Sequence, residues 1–125
     1  FAGDEYVVEE LTSDSFEGIE VAFFSAPNDV TQKYVPIAIA NDCLVIDDSS
    51  VFRQKSDVPL VVPEINADAL TSEDKIIANP NCSTIQMVVA LNPLHQKYKI
   101  KRLATDIFKQ RCIFLHRHFM IHFAF

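Results

Sequence analysis

Ile76-Ile77-Ala78-Asn79-Pro80-Asn81-Cys82-Ser83-Thr84-Ile85-Gln86-Met87-Val88-Val89-Ala90-Leu91 changes its period partway along. A short β-branched run stops at Asn79-Pro80-Asn81, a turn signal, and a helical apolar pattern begins at once. Strand, tight turn and helix in that order make one βα unit, the repeating piece of a parallel sheet. Cys82 stands on the turn at the mouth of the helix, where unpaired backbone N–H groups and the helix dipole favour negative charge. A free thiol titrates near ~8.5, and such a position lowers it and produces the thiolate that attacks carbonyl carbons. Ser83 or Thr84 is placed to cap the helix. A second reading suits Cys82 equally, that of a small core filler ahead of a helix.

The alternation continues on the amino-terminal side. Residues 6–11 read as a strand or strand end, and residues 13–16 as a short helical piece. Residues 19–25 read as a buried strand by their apolar content. Asn28 or Asp29 then caps a helix through residues 30–40, with Tyr34, Ile37 and Ala38 on one side. Residues 44–47 and 75–78 form two further strands, and Pro59 and Pro63 enclose an extended Leu60-Val61-Val62. The helix after Cys82 carries Ile85, Val88, Val89 and Leu91 before Pro93 and His95. This order implies βαβ units and a parallel sheet covered on both faces. Ligands of such sheets collect beyond the carboxyl ends of the strands. Ser25 and Ala26, residues 47–50 and residues 79–82 all fall at such ends, which places one site there.

Composition narrows the classes. The 125 residues are 49% hydrophobic and 22% charged, which suits one globular domain or part of one. No apolar run reaches the ~18 residues needed to cross a bilayer, and the start shows no basic-then-apolar leader. Three Cys with no CxxC or disulfide-like spacing point to a reducing, cytoplasmic setting. A net charge of −6 argues against nucleic acid, so an anionic substrate needs individually placed cations. Gly3 and Gly18 are the whole glycine complement, which excludes a Gly-rich phosphate loop. The chain begins at Phe1 close to strand-like sequence and reads as an internal fragment.

Four blocks carry a family resemblance. Residues 79–87 (Asn-Pro-Asn-Cys-Ser-Thr-Ile-Gln-Met), 58–66 (Val-Pro-Leu-Val-Val-Pro-Glu-Ile-Asn), 45–53 (Val-Ile-Asp-Asp-Ser-Ser-Val-Phe-Arg) and 6–12 (Tyr-Val-Val-Glu-Glu-Leu-Thr) resemble, in order and spacing, segments of aspartate-semialdehyde dehydrogenases. The match runs over residues 6–103. It implies an α/β fold, a partial doubly wound parallel-sheet (Rossmann-like) domain lacking its first βαβ unit and running into the start of an α+β catalytic domain. Residues 1–80 would be the second half of an NADP-binding domain, 81–103 the nucleophile helix and catalytic entry, and 104–125 a divergent tail.

Through this resemblance Cys82 matches the family nucleophile, which attacks the aldehyde to give a thiohemiacetal; hydride transfer to NADP leaves a thioester that phosphate cleaves. The biosynthetic direction reduces aspartyl phosphate to the semialdehyde, on the way to Lys, Thr, Met and Ile. Arg53 matches the phosphate-binding Arg, and a guanidinium fork suits a tetrahedral oxyanion; taken alone it also reads as a solvated loop residue. Asn81 resembles a substrate-adjacent Asn, or equally serves turn chemistry. Ser25, Ala26, Ser49 and Ser50 resemble cofactor-lining positions, and Ser25 and Ser50 suit turn or helix caps as well. Family members of full length are expected to be homo-oligomers acting on small molecules, away from membranes.

Departures from the family pattern are specific. Pro27 stands where the family prefers Gly, so positive φ is forbidden and an N–H donor is lost. Asp48 replaces an Asn and adds negative charge beside the expected phosphate site. After Leu103 the family continues into a Thr-Tyr-Gln-like strand and a Gly-rich turn, whereas this chain has Ala104-Thr105-Asp106-Ile107-Phe108-Lys109-Gln110. Lys109 takes the place of the substrate-binding Gln, Gln110 is one position out of register, and that role is carried to neither. Residues 111–125 hold four Phe, three His and no acidic residue, and read like a shifted frame. Cys112, His116, His118 and His122 resemble a metal cluster only loosely, and no metal site is assigned.

Two classes of function remain. One is a piece of an NADP-dependent aspartate-semialdehyde dehydrogenase, with N-acetyl-glutamyl-phosphate reductase and glyceraldehyde-3-phosphate dehydrogenase as the neighbouring enzyme alternatives. The other is a non-catalytic truncated remnant, which either pairs with full-length subunits or misfolds. With no phosphate loop and no assignable general base, the chain by itself is expected to show no dehydrogenase turnover.

Overall fold

The structure, a computed structural model, describes residues 3, 5, 7–105 and 119–122. The chain divides into two compact units, Phe1–Ile85 and Gln86–Phe125.

The first unit is built on three short parallel strands: β1 (Val21–Phe24), β2 (Leu44–Asp47) and β3 (Ile76–Ala78), in spatial order β1-β2-β3. The register sets Ala22 beside Val45 beside Ile76, and Phe24 beside Asp47 beside Ala78. Residues 59–61 extend the sheet past β3, since Ala78 N–H donates to Pro59 O (2.9 Å) and Val61 N–H donates to Ala78 O (3.0 Å). Asn66 pins that segment by accepting from Val62 N–H (2.9 Å) and donating to Leu60 O (3.0 Å). Val61 and Val62 are buried, whereas Leu60, expected in the same core, is exposed.

The β1–β2 crossover is α1 (Asn28–Ala40). It buries Thr31, Val35 and Ala38 on one stripe at the i, i+4, i+7 spacing of a helix lying on a sheet. Under that stripe, Phe16, Phe24, Val35, Ala38, Cys43 and Val45 form the core, and the Phe16 and Phe24 rings stack at 5.9 Å. Phe16 arrives on a 3-10 turn, Ser13–Phe16, closed at its start by reciprocal Thr12 and Ser15 bonds. Gly18 follows at φ +72°, the left-handed conformation that glycine adopts freely, and turns the chain into β1. At the far end of α1, Cys43 N–H donates to Ala38 O and Asp42 N–H to Ile39 O, with Asp42 at φ 59°. That pair of bonds is a Schellman closure, and it delivers Cys43 straight into β2.

Several sequence expectations are corrected. Residues 7–11 form no strand, and Val7 and Val8 are 88% and 94% exposed; they have no neighbouring strand to pair with among the described residues, and Tyr6 lies outside those residues. β1 is not buried throughout. It alternates, with Phe23 79% exposed and Phe24 6%, because it is an edge strand covered on one face. On the face opposite α1, Val21 and Phe23 are exposed and Leu44, Ile46 and Ile77 half-buried among the described residues. α1 starts at Asn28 with Pro27, which has no side-chain acceptor, at the cap position, so the expected caps Asn28 and Asp29 both lie inside the helix, and the Asn28 amide bonds Ser50.

Beyond α2 (Pro63–Asn66) and β3 runs α3 (Cys82–Tyr98), which passes through Pro93 where the sequence suggested an end. Pro36 likewise sits inside α1. Both prolines are exposed, as are Gln32 and Val89, the residues four positions earlier that a proline deprives of an N–H donor. Lys99 closes α3 in the left-handed region, with its N–H on His95 O at 2.8 Å. In the second unit, β4 (Arg102–Thr105) pairs antiparallel with β5 (Phe119–His122), Leu103 opposite Ile121. No helix among the described residues is long and apolar enough to cross a membrane.

Candidate active site

Parallel strands that end in register release the chain at one level. Phe24, Asp47 and Ala78 are partners, so Ser25, Asp48 and Asn79 leave the sheet side by side. The three segments singled out from the sequence therefore meet at one edge. The ladder even runs one step past the strands: Asp48 N–H donates to Phe24 O and Asn79 N–H to Asp47 O, each at 2.8 Å.

The β3–α3 turn is organised by Asn81. Its carbonyl accepts the first helical bond, from Ile85 N–H at 3.0 Å. Its side-chain oxygen accepts from Ser83 N–H (3.0 Å) and from the Ser83 hydroxyl (2.5 Å). Asn81 is thus the helix cap, correcting the assignment to Ser83 or Thr84; an Asx oxygen just ahead of the helix reaches the N–H two residues on, whereas Ser83 already lies inside α3 and is buried. Cys82, the first residue of α3, is exposed, with Sγ 3.9 Å from Asn81 Oδ1. The core-filler reading belongs to Cys43 instead, which is fully buried, and burial pushes its thiol up from the ordinary range.

The β2 turn is equally fixed. Buried Asp47 accepts from Ser49 N–H (3.1 Å) and from the Ser49 hydroxyl (2.7 Å), and Ser49 Oγ accepts from Val51 N–H (3.2 Å). Sequence reasoning missed this Asx turn, although Asp-x-Ser after a strand is its signal. Ser50 shares its hydroxyl with the Asn28 amide at 3.0–3.3 Å, tying the β2 turn to the start of α1. Ser25 is exposed, and Ala26 O accepts from the Thr31 hydroxyl at 3.5 Å.

Arg53 joins two of these turns. Nε donates to Asn79 O (2.8 Å) and Nη2 to Asp48 O (2.7 Å), with the Asp48 carboxylate 3.5 Å from Nη2. Asp48 Oδ1 also accepts from Asn79 Nδ2 at 3.0 Å. Arg53 is therefore no free loop residue: it holds the entry to the Cys82 turn against the end of β2. From the sequence Asn79 was placed at the site as part of its turn, without a role of its own.

Cys82, Asn81, Ser25, Ala26, Ser49 and Ser50 belong to the three strand-end segments, and Arg53 lies beyond the β2 segment but bonds to two of them. Lys109, Gln110, Cys112, His116 and His118 lie outside the described residues, as does the side chain of His122. Among the described residues no group of three or more His, Cys, Asp or Glu is placed to hold a metal ion.

Comparison with known proteins gives a consistent result. Residues 2–73 match the family described as semialdehyde dehydrogenase, NAD binding domain. The aspartate-semialdehyde dehydrogenase of Bacillus subtilis is 44% identical over 109 residues, covering 87% of this chain and 32% of its own length. That of Shewanella violacea is 50% identical over 100 residues, covering 77% and 30%. Among solved structures, aspartate semialdehyde dehydrogenase II of Vibrio cholerae complexed with ASA superposes with a TM-score of 0.67 at 45% identity, covering 71% of this chain and 30% of that one. The Candida albicans enzyme with NADP gives 0.57 at 27% identity, covering 69% and 28%. The chain spans about a third of the length of the curated relatives it matches.

Proposed function

We propose that this chain, which belongs to the semialdehyde dehydrogenase NAD-binding domain family, supplies the nucleophile and the anion-holding arginine of an aspartate-semialdehyde dehydrogenase, acting on aspartyl phosphate and aspartate semialdehyde in amino-acid biosynthesis. The observation that carries the reading is the exposed Cys82 on a capped helix start, at the same sheet edge as Arg53.

In this reading the Cys82 sulfur attacks the acyl carbon of aspartyl phosphate. The bond from that carbon to the bridging oxygen breaks, phosphate leaves with the electron pair, and the aspartyl group stays on sulfur as a thioester. Arg53 holds the phosphoryl oxygens, since a guanidinium presents several N–H donors in one plane. Among the described residues its bonds engage Nε and Nη2. Asn81 fixes the rotation of the Cys82 turn through its cap bonds. The chain's four His all follow residue 94, so the strand-end segments contain no general base of that type.

A nicotinamide dinucleotide, which we take to be NADP, would when bound supply hydride chemistry beside the Cys82 thioester. This chain's residues suit one wall of such a site. Ser25 is exposed and Ala26 half-buried at the end of β1, whereas the Ser49 and Ser50 hydroxyls are engaged within the protein. We assign Ser25 and Ala26 to the cofactor side, and Ser49 and Ser50 to shaping the loop beside it. Residues 1–80 are read as the nucleotide-binding part and 81–103 as the entry to the catalytic part, with 104–125 divergent.

Thiol protection tests the reading. Aspartate semialdehyde added to the folded chain should slow iodoacetamide labelling of Cys82 by forming a thiohemiacetal, and leave labelling of Cys43 unchanged. Unchanged Cys82 labelling at saturating aldehyde would remove the nucleophile assignment.

A further inference from the structure

Asp48 closes a ring of contacts with Arg53 and Asn79. Its main-chain carbonyl accepts from Arg53 Nη2 at 2.7 Å, and its carboxylate lies 3.5 Å from the same nitrogen. The carboxylate also accepts from Asn79 Nδ2 at 3.0 Å, and Arg53 Nε donates to Asn79 O at 2.8 Å. Two main-chain carbonyls position the guanidinium, and one carboxylate neutralises it. These are separable tasks. The carbonyls belong to the main chain, whereas the countercharge comes from the Asp48 side chain.

We propose that Asp48 is an internal counter-ion that competes with an incoming tetrahedral anion for Arg53. The inference rests on reading Arg53 as the anion-holding residue. Phosphate approaching the Arg53 fork meets a carboxylate already beside it, and must displace that carboxylate or share the guanidinium with it. Either way Asp48 lowers anion affinity and favours release of phosphate once the acyl group has moved to sulfur. The Asp48 side chain is 53% exposed and that of Arg53 20%, so solvent reaches the pair and the effect is modest and sensitive to salt. Asp48 acts through Arg53 and is a positioning and tuning residue, with no contact of its own to the reacting carbon.

The test is a titration of the full chain with inorganic phosphate at low ionic strength, followed by phosphorus NMR, for the unaltered chain, Asp48→Asn and Arg53→Ala. Asparagine at this position keeps an acceptor for Asn79 and the main-chain carbonyl for Arg53, and removes only the charge. The expected result is about three- to fivefold tighter phosphate binding by D48N, the size of a solvated ion pair. That gain should fade in about 1 M potassium chloride, where the screening length falls to about 3 Å. Arg53→Ala should abolish binding in either background. Arg53-dependent binding that D48N leaves equal or weaker would overturn the counter-ion role while sparing the anion-holding role of Arg53. Phosphate binding indifferent to Arg53 would overturn both. Should D48N lose its folded circular dichroism signal, Asp48→Ser removes the same charge and is judged by the same outcomes.

Discussion

Cys43 and Cys82 stand at opposite ends of the same parallel sheet, and their surroundings differ in every respect. Cys43 enters β2 at its amino end, where the Schellman closure of α1 folds the chain back under the helix. It is fully buried, packed in one cluster with Phe16, Phe24, Val35, Ala38 and Val45, and desolvation pushes its thiol up. Cys82 leaves the carboxyl end of β3 on a turn whose polar groups are satisfied by Asn81, and its side chain is exposed. The residue type is the same. What separates the two is where each stands: Cys43 lies beneath the closing turn of α1 just ahead of β2, and Cys82 lies on the exposed turn past the carboxyl end of β3. That difference is why the carboxyl edge is where chemistry can be built.

The sharpest way to break this contrast is to disturb the packed side. Val45→Ala should cost about 2 kcal/mol in urea unfolding, since Val45 is fully buried beneath α1. Phe23→Ala, on the open face of β1, should cost under about 0.5 kcal/mol despite removing a larger side chain. Equal losses at the two positions would mean that the open face is covered in solution. A smaller effect is expected at the carboxyl edge, where Asn81→Ala should cost about 1 kcal/mol through loss of the cap, and Asn81→Gly only a few tenths. Finding the reverse order would show that Asn81 does something other than cap α3.

The smallest effect concerns pH, and it appears only in alkali. The Cys43 thiol is raised in the folded protein, so the unfolded chain gives up that proton first. Its contribution to stability is fully present below about pH 8.5, the ordinary thiol value, and is lost as pH rises above that. Urea midpoints measured from pH 7 to 10 should fall, and Cys43→Ala should flatten the decline. A midpoint that rises with pH in the same range would contradict the buried assignment.

Much of the carboxyl edge was legible in the sequence because β-branched runs and turn residues sit next to one another at Asp47 and at Asn79. Short strands announce themselves when both ends carry turn chemistry, and β2 was placed to the residue. Residues 7–11 misled for the complementary reason. Their apolar content suits a strand, but a strand exists only with a partner, and single-sequence patterns do not state partners. Phe23 misled similarly, since an apolar side chain says nothing of whether a neighbour covers it. Caps proved harder than strands. Asn28, a strong cap by type, lies inside α1 and bonds Ser50 across twenty-two positions, while Asn81 takes the role given to Ser83 or Thr84. The Asp48–Arg53–Asn79 ring joins residues far apart in sequence, and only the parallel register brings them together.

Of the two described thiols, Cys82 is exposed and Cys43 sealed in the core. Brief iodoacetamide labelling of the folded chain near neutral pH, read by peptide mass spectrometry, measures this directly. Cys82 should alkylate at least about tenfold faster than Cys43, which reacts only when the core opens. Equal rates in a sample with a folded circular dichroism spectrum, or faster reaction at Cys43, would contradict the assignment of the carboxyl edge as the reactive one.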